Sequence, residues 1–419
     1  MTENTSTAVA SITMGQPAWS ELFRALALSV NKTVSGADST SFLSCTAIRI
    51  SEDGVVMESE SAQSTTHVSL DAEDAEFSGS GVFLLNTNQV NTYIGLFAGQ
   101  DTVQLSLFDN YALLEDVPGN TTEFRCELVD YADDNFTPHA VKKAPEDAPS
   151  AILSTYELKQ AYTRGCTMTK SMEKDPASGQ SPLSGALVEI VDGGVQVVSW
   201  ATSGAESFAS ATTDGTARAL SSPVLFGPRL SALPAGEVTL SIGEDSMFYL
   251  ESGPVLFSFS PLAIGGRSNP VTSKALFTVL SNVEHGVVGS TTVSAGTFFS
   301  ALTKASTVKA DVVSLEVSTT SLDLKAFTGD QRTPTFRQTV LCETSWEDPD
   351  YDYAELLLDV ATVKKISTFV SKTDDVTFTL CRAQGGEDIA GVVVVDGQRS
   401  FDKDENRHNF FILSTTQKQ

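Results

Sequence analysis

Four histidines, five cysteines and one cluster of carboxylates are the residues from which covalent chemistry could be built, and their spacing argues against it. His67, His139, His285 and His408 stand alone, with no Cys or carboxylate motif beside them, so no nucleophile and base are paired. Cys45, Cys126, Cys166, Cys342 and Cys381 are scattered, odd in number and free of CxxC or Cys/His spacing. They read as buried thiols of a protein from a reducing compartment. The stretch WEDPDYDYAE gathers Asp348, Asp350, Asp352 and Glu355, but it fits no EF-hand loop and has no glycine at the turn position. A solvated acidic loop is the reading we adopt. With GxGxxG and P-loop signatures absent and Gly265-Gly266 read as a turn, the sequence predicts no enzyme, no cofactor and no metal site.

Basic residues, by contrast, recur in a pattern. The chain carries 27 Lys and Arg against 53 Asp and Glu, a formal charge of −26. Alone, that balance favours solubility and disfavours generic binding of polyanions. Yet the predicted exposed faces of four of six helices hold Arg24, Lys32, Lys159, Arg164, Lys304, Lys364 and Lys365, and Arg229 on a further helix joins them as a candidate. Few acids share those faces, Glu157 being an exception. Sparse positive charge on a helix layer of an acidic protein suggests weak, sequence-blind contact with phosphates.

The elements that would position these residues are legible from periodicity. A helix from Pro17 has the apolar stripe Trp19, Phe23, Leu26 and Val30, and a second over 86–98 buries Val90, Tyr93, Ile94 and Phe97. A third over 155–168 buries Leu158, Tyr162 and Cys166. The fourth runs from Pro223 to Leu233 with a kink expected at Pro228. A fifth over 295–305 packs Phe298, Phe299 and Leu302, and a sixth over 359–371 buries Val363, Ile366 and Val370. Between them lie β-hairpins, most clearly Ala186 to Ala209 turning at Asp192-Gly193-Gly194, with degraded copies at 42–61 and 312–327.

The three hairpin turns lie one ordinary domain apart, and 419 residues suit about three domains, so three copies of one α+β unit are expected, helices on one face of antiparallel sheets. The boundaries read as a flexible arm over 1–16, units over 17–134, 151–268 and 286–419, and linkers over 135–150 and 269–285. No run of 18 apolar residues and no basic-then-apolar leader occur, so no membrane span and no signal peptide are predicted.

This order of elements resembles the β sliding clamp of bacteria and phages, the processivity subunit of replicative DNA polymerase. The similarity covers almost the whole chain. It is carried by LSGALVEI with SWATSGAESFA, by GTFFSALTKAS leading into VVSLEVSTTSLDLKAF, and by AELLLDVATVKKISTFV leading into VTFTL. It implies a homodimeric ring of three-domain subunits joined head to tail, with helices lining a hole and sheets outside. Twelve helices about 10 Å across, side by side, leave roughly 28 Å clear, enough for a duplex, whereas six leave about 9 Å. The resemblance therefore implies a dimer that encloses duplex DNA, no membrane, and cytoplasmic residence in a bacterium or in the host of a phage, with the divergence favouring a phage.

Family partners, a replicative polymerase and a clamp loader, insert short peptides into an apolar pocket. By resemblance that pocket falls here on Leu183, Thr202, Gly204, Phe411 and Leu413, with Arg267 and Pro270 at its rim. The sequence departs from the family there, since Ala205 and Glu206 replace a His and an Arg, Ser207 replaces a Leu, and the loop from Gly397 to Arg407 is longer. The alternative to a DNA clamp is a β-rich structural or assembly protein of three repeated modules with no DNA role.

Overall fold

A computed structural model describes residues 7–30, 44–119, 122–129, 143–169, 184–200, 203–262, 286–328, 333–368, 370–382, 389–395 and 410–414. Three times the chain runs strand, helix, a meander of strands, helix and three closing strands. The first pass is β1 (Ala10–Gly15), α1 (Gln16–Leu26), β2 (Cys45–Ser51), β3 (Gly54–Ser61), β4 (Ser64–Leu70), β5 (Glu76–Gly79), β6 (Gly81–Asn86), α2 (Thr87–Leu96), β7 (Thr102–Leu107), β8 (Tyr111–Asp116) and β9 (Glu123–Glu127). The second is β10 (Ser150–Ser154), α3 (Thr155–Gly165), β11 (Ala186–Val191), β12 (Gly194–Trp200), β13 (Gly204–Ser210), β14 (Thr212–Asp214), β15 (Ala217–Ser221), α4 (Pro223–Ala232), β16 (Glu237–Ile242), β17 (Phe248–Ser252) and β18 (Val255–Phe259). The third is β19 (Val287–Ser294), α5 (Ala295–Thr307), β20 (Val312–Val317), β21 (Ser321–Phe327), β22 (Phe336–Trp346), β23 (Ala354–Asp359), α6 (Val360–Lys364), β24 (Asp375–Arg382), β25 (Ile389–Val395) and β26 (Phe410–Ser414).

The strands join in the orders β5-β1-β7-β8-β9, β14-β10-β16-β17-β18-β4-β3-β2-β6 and β15-β11-β12-β13-β26-β25-β24-β19-β22-β21-β20-β23. Each meander begins with a predicted hairpin. At the second, Gly193 takes φ +74°, a conformation open to glycine at little steric cost, so β11 and β12 pair from Val191↔Gly194 outward. Side chains cap three helices. Asn86 accepts from Gln89 N at 3.0 Å and Asp359 from Thr362 N at 2.7 Å, while at α3 Ser154 Oγ accepts from Glu157 N at 3.1 Å and donates to Glu157 Oε2 at 2.8 Å.

The chain divides into two compact units. The first holds the whole first repeat with β10, α4 and β16 to β18, around a core in which Trp19, Phe23 and Leu26 are fully buried and Trp19 Nε1 donates to Val103 O at 2.9 Å. The second holds α3 from Leu158, β11 to β13 and the third repeat, where Phe298, Leu302, Leu315, Leu324 and Phe378 form one cluster. The cut falls inside the span 151–268, because β18 pairs with β4 and β26 pairs with β13. The last strand of one repeat thus extends the meander sheet of the repeat before it.

Three expectations need correction. Residues 10–15 are not part of a flexible arm: Ala10, Ile12 and Met14 alternate inward in β1, between β5 and β7. The sixth helix stops at Lys364 and tightens into a 3-10 turn over Lys365–Thr368, where Ser367 Oγ donates to Lys364 O at 2.8 Å and draws that carbonyl from the helical ladder. Arg229, assigned to a DNA-facing surface, is 2% exposed.

The guanidinium of Arg229 has partners inside the first unit. Its nitrogens donate to Leu225 O and Leu28 O, each at 2.8 Å, and to Ser64 Oγ, and its carbon lies 5.3 Å from the Phe259 ring centroid. Ser64 in turn bonds Ser29, which also receives Thr66 Oγ1 at 2.7 Å. Burial lowers the guanidinium to about 10, still charged at neutral pH. Arg229→Ala should therefore cost about 3 kcal/mol of stability by orphaning carbonyl and hydroxyl acceptors and opening a cavity. Urea unfolding checks this, and a loss under about 0.5 kcal/mol would contradict the structural role.

Candidate nucleic-acid interface and peptide pocket

Five of the six strand-to-helix junctions among the described residues carry a base in the last turn of the helix that follows, the buried Arg229 of α4 being one. Arg24 in α1, Arg164 in α3 and Lys304 in α5 occupy last turns after β1, β10 and β19. Lys364 does the same in α6. A cation there complements the partial negative charge of the helix C-terminus, so the placement also favours the helix itself.

Exposure separates these residues. Arg24, Lys159, Lys304 and Lys364 are exposed, and Arg164 and Lys365 are half-buried. On α5 the outward stripe Thr297, Ser300, Lys304 and Thr307 bears one charge among hydroxyls, and Lys304 Nζ donates to Gln338 Oε1 at 3.2 Å. On α1 the stripe Pro17, Glu21 and Arg24 carries an acid beside its base, and Glu157 is exposed on α3. The α2 surface is uncharged. Lys32 lies outside the described residues. Such isolated charges on polar faces give weak attraction to phosphate without a fixed register.

Of the expected peptide pocket, the described backbone brings three residues to one place. β13 and β26 pair through Gly204↔Ile412 and Ala205↔Phe411, with β25 against the other side of β26 at Val392↔Leu413. Gly204, Phe411 and Leu413 therefore share one seam in the sheet of the second unit. Leu183, Thr202, Arg267 and Pro270 lie outside the described residues. The two small departures from the family pattern, Ala205 and Ser207, are buried, and Ala205 belongs to the hydrophobic cluster of the third repeat.

No family model and no curated protein matches the sequence. Solved structures match the fold from end to end. The DNA polymerase III β subunit of Thermotoga maritima superposes with a TM-score of 0.73 at 11% identity, over 98% of this chain and 100% of that one. The DNA polymerase sliding clamp of Bacillus subtilis gives 0.72 at 11%, over 98% and 100%, and that of Pseudomonas aeruginosa 0.72 at 13%, over 97% and 99%. The chain has the sliding-clamp fold, at a sequence distance where side-chain identities carry little of the likeness.

Glu206 marks that distance chemically. It sits opposite Val198 on β12 and Phe410 on β26, 2% exposed, with Oε1 accepting from Gln196 Nε2 at 2.9 Å. Its Oε2 is buried without a partner among the described residues. Burial, then the charge of Glu189, pushes its carboxyl up to about 8. A raised carboxyl holds its proton in the folded chain above the pH at which the unfolded chain releases it. The stability present below the usual carboxylate range is therefore lost as pH rises toward 8. Glu206→Gln should remove that slope and raise stability at pH 9 by up to a few kcal/mol, with little change at pH 4. Melting curves at the two pH values check it, and equal shifts at both would count against a buried titrating carboxyl.

Proposed function

We propose that this chain is a DNA sliding clamp: two copies close into a ring around duplex DNA and tether a replicative polymerase during synthesis. The observation that carries the reading is the end-to-end agreement of three repeats with the structures of DNA polymerase sliding clamps and of a DNA polymerase III β subunit. The exposed bases of α1, α3, α5 and α6 support it, because a ring that slides needs attraction to phosphate without tight local contacts. Catalysis is not required of it; enclosure does the work.

The strand pattern also supports a head-to-tail dimer. Twice within the chain the third meander strand of one repeat pairs with the last strand of the next, β4 with β18 and β13 with β26. The corresponding strands left over are β9, at the edge of its sheet, and the Phe336–Leu341 half of β22, which pairs with β21 on one side. Leu341 is 83% exposed at that half. Pairing β9 of one copy with this segment of the other would repeat the internal seam and close a ring. The polymerase and the loader would dock by short peptides at the Gly204, Phe411 and Leu413 seam.

Two measurements test the reading. Small-angle scattering should give the dimensions of a dimeric annulus, and a compact or extended monomer would argue for the structural-module alternative. Lys304→Glu with Lys364→Glu should cut retention on nicked circular DNA at least tenfold while the dimer persists, since each reversal replaces attraction to phosphate with repulsion. Retention that is unchanged, or that survives linearisation of the DNA, would remove these helices from the proposed bore.

A further inference from the structure

The first unit contains an apolar cavity that the clamp reading does not use. It has a volume of about 180 Å³ and lies where the β4–β18 seam ends. There Ser69 N donates to Pro254 O at 2.9 Å and the chain leaves the sheet after Leu70. Met14 of β1, Leu22 of α1, Leu70 and Val255, all nearly buried, contribute its apolar surface, closed by Pro234 and Pro254. Its two charged lining groups are both acids, Glu21 from α1 and Asp74 from the turn after β4, both exposed; no basic side chain lines it.

The turn fixes the acidic side of the opening. Asp71 Oδ1 accepts from Glu73 N at 2.7 Å and Asp74 N at 3.3 Å, and Asp71 N donates to Asp74 Oδ2 at 3.3 Å, so Asp74 is held beside the cavity. Across it stands Glu21, on the same turn of helix as Ala18 and Leu22. An apolar floor large enough for one aliphatic side chain, flanked by two carboxylates, is complementary to a short segment with a leucine-sized residue between lysines or arginines.

We propose that this cavity is a docking site for such a basic-flanked apolar peptide from a partner protein. Charge decides among occupants. Nucleic acid phosphates are repelled by Glu21 and Asp74, and a second copy of a chain with formal charge −26 is a poor electrostatic match for an acidic opening. The proposal does not depend on ring closure or on DNA, since every residue it uses belongs to the first unit.

The test is a titration of the full chain, 13C-labelled at its methionine methyls, with the synthetic peptide acetyl-KKLKK-amide. The Met14 methyl resonance, assigned by Met14→Leu, should shift saturably. Acetyl-KKSKK-amide, which lacks the apolar side chain, and acetyl-EELEE-amide, which reverses the flanks, should each bind at least tenfold more weakly. Glu21→Lys with Asp74→Lys should cost at least tenfold, and Ala18→Phe, which fills the cavity with both carboxylates intact, should abolish the shift. A Met14 resonance that does not move overturns the proposal. So does equal binding of the serine peptide, which would mean diffuse attraction to an acidic protein, or binding indifferent to the charge reversal. A change of sedimenting mass in the Glu21→Lys variant would give this surface to a second copy instead, and would equally overturn the proposal.

Discussion

A strand edge presents unpaired backbone donors and acceptors, and in this chain no repeat covers its own. The third meander strand of the first repeat is completed by the last strand of the second, and that of the second by the last strand of the third. Sheet hydrogen bonding therefore fixes the register of one repeat on the next, with Ser64↔Phe259 at one seam and Gly204↔Ile412 at the other. A structure propagated in this way has two unused ends, and either another copy or a covering element must deal with them. The compact units follow from the same constraint: each seam draws part of the second repeat toward a different neighbour, so the packing cut does not respect the sequence repeat.

The two seams occupy the same topological place yet are finished differently. At the start of β4 the position is filled by a buried guanidinium bonded to Leu28, Ser64 and Leu225. At the start of β13 the strand opens with a glycine, which adds no side chain beside β26. A buried arginine is costly to desolvate, and what offsets that here is three local acceptors for its terminal nitrogens together with an aromatic ring, while Nε is buried without a partner among the described residues. The same residue type thus serves the interior at one junction and the surface at others, and its helix position alone does not distinguish them.

That ambiguity explains what could be read from the sequence. Long elements with strong periodicity were legible: Trp19, Phe23 and Leu26 at helical spacing are fully buried, and Asp192-Gly193 turns where the hairpin pattern places it. The strand Ala10–Gly15 was hidden because its inward residues are separated by Ser and Thr, which composition assigns to a loose arm although alternation alone would suggest a strand. The sixth helix tightens into a 3-10 turn where Ser367 Oγ bonds Lys364 O, a feature too local for a periodicity argument. In sequence Arg229 groups with Arg164 and Lys304 as a base on a predicted helix, and like them it lies in a last turn. Only tertiary context, with Leu28 and, from β4, Ser64 packed across it, turned it inward. The cavity between α1 and β18 was not legible, because its lining comes from four separate stretches of chain.

Charge is distributed with the same economy. A chain twice as rich in acids as in bases cannot attract a polyanion by its total field, so any contact with phosphate must be local. Helix C-termini are where a lone cation is already favoured by backbone dipoles, and Arg24, Arg164, Lys304 and Lys364 occupy them. Because each such site is stabilised by its own helix, the pattern can persist while the surrounding sequence diverges. Midway along α1, on the same exposed stripe as Arg24, Glu21 lines the cavity opening. Glu21 and Arg24, three residues apart on one exposed stripe, thus set opposite signs side by side, the acid at the cavity opening and the base in the last turn.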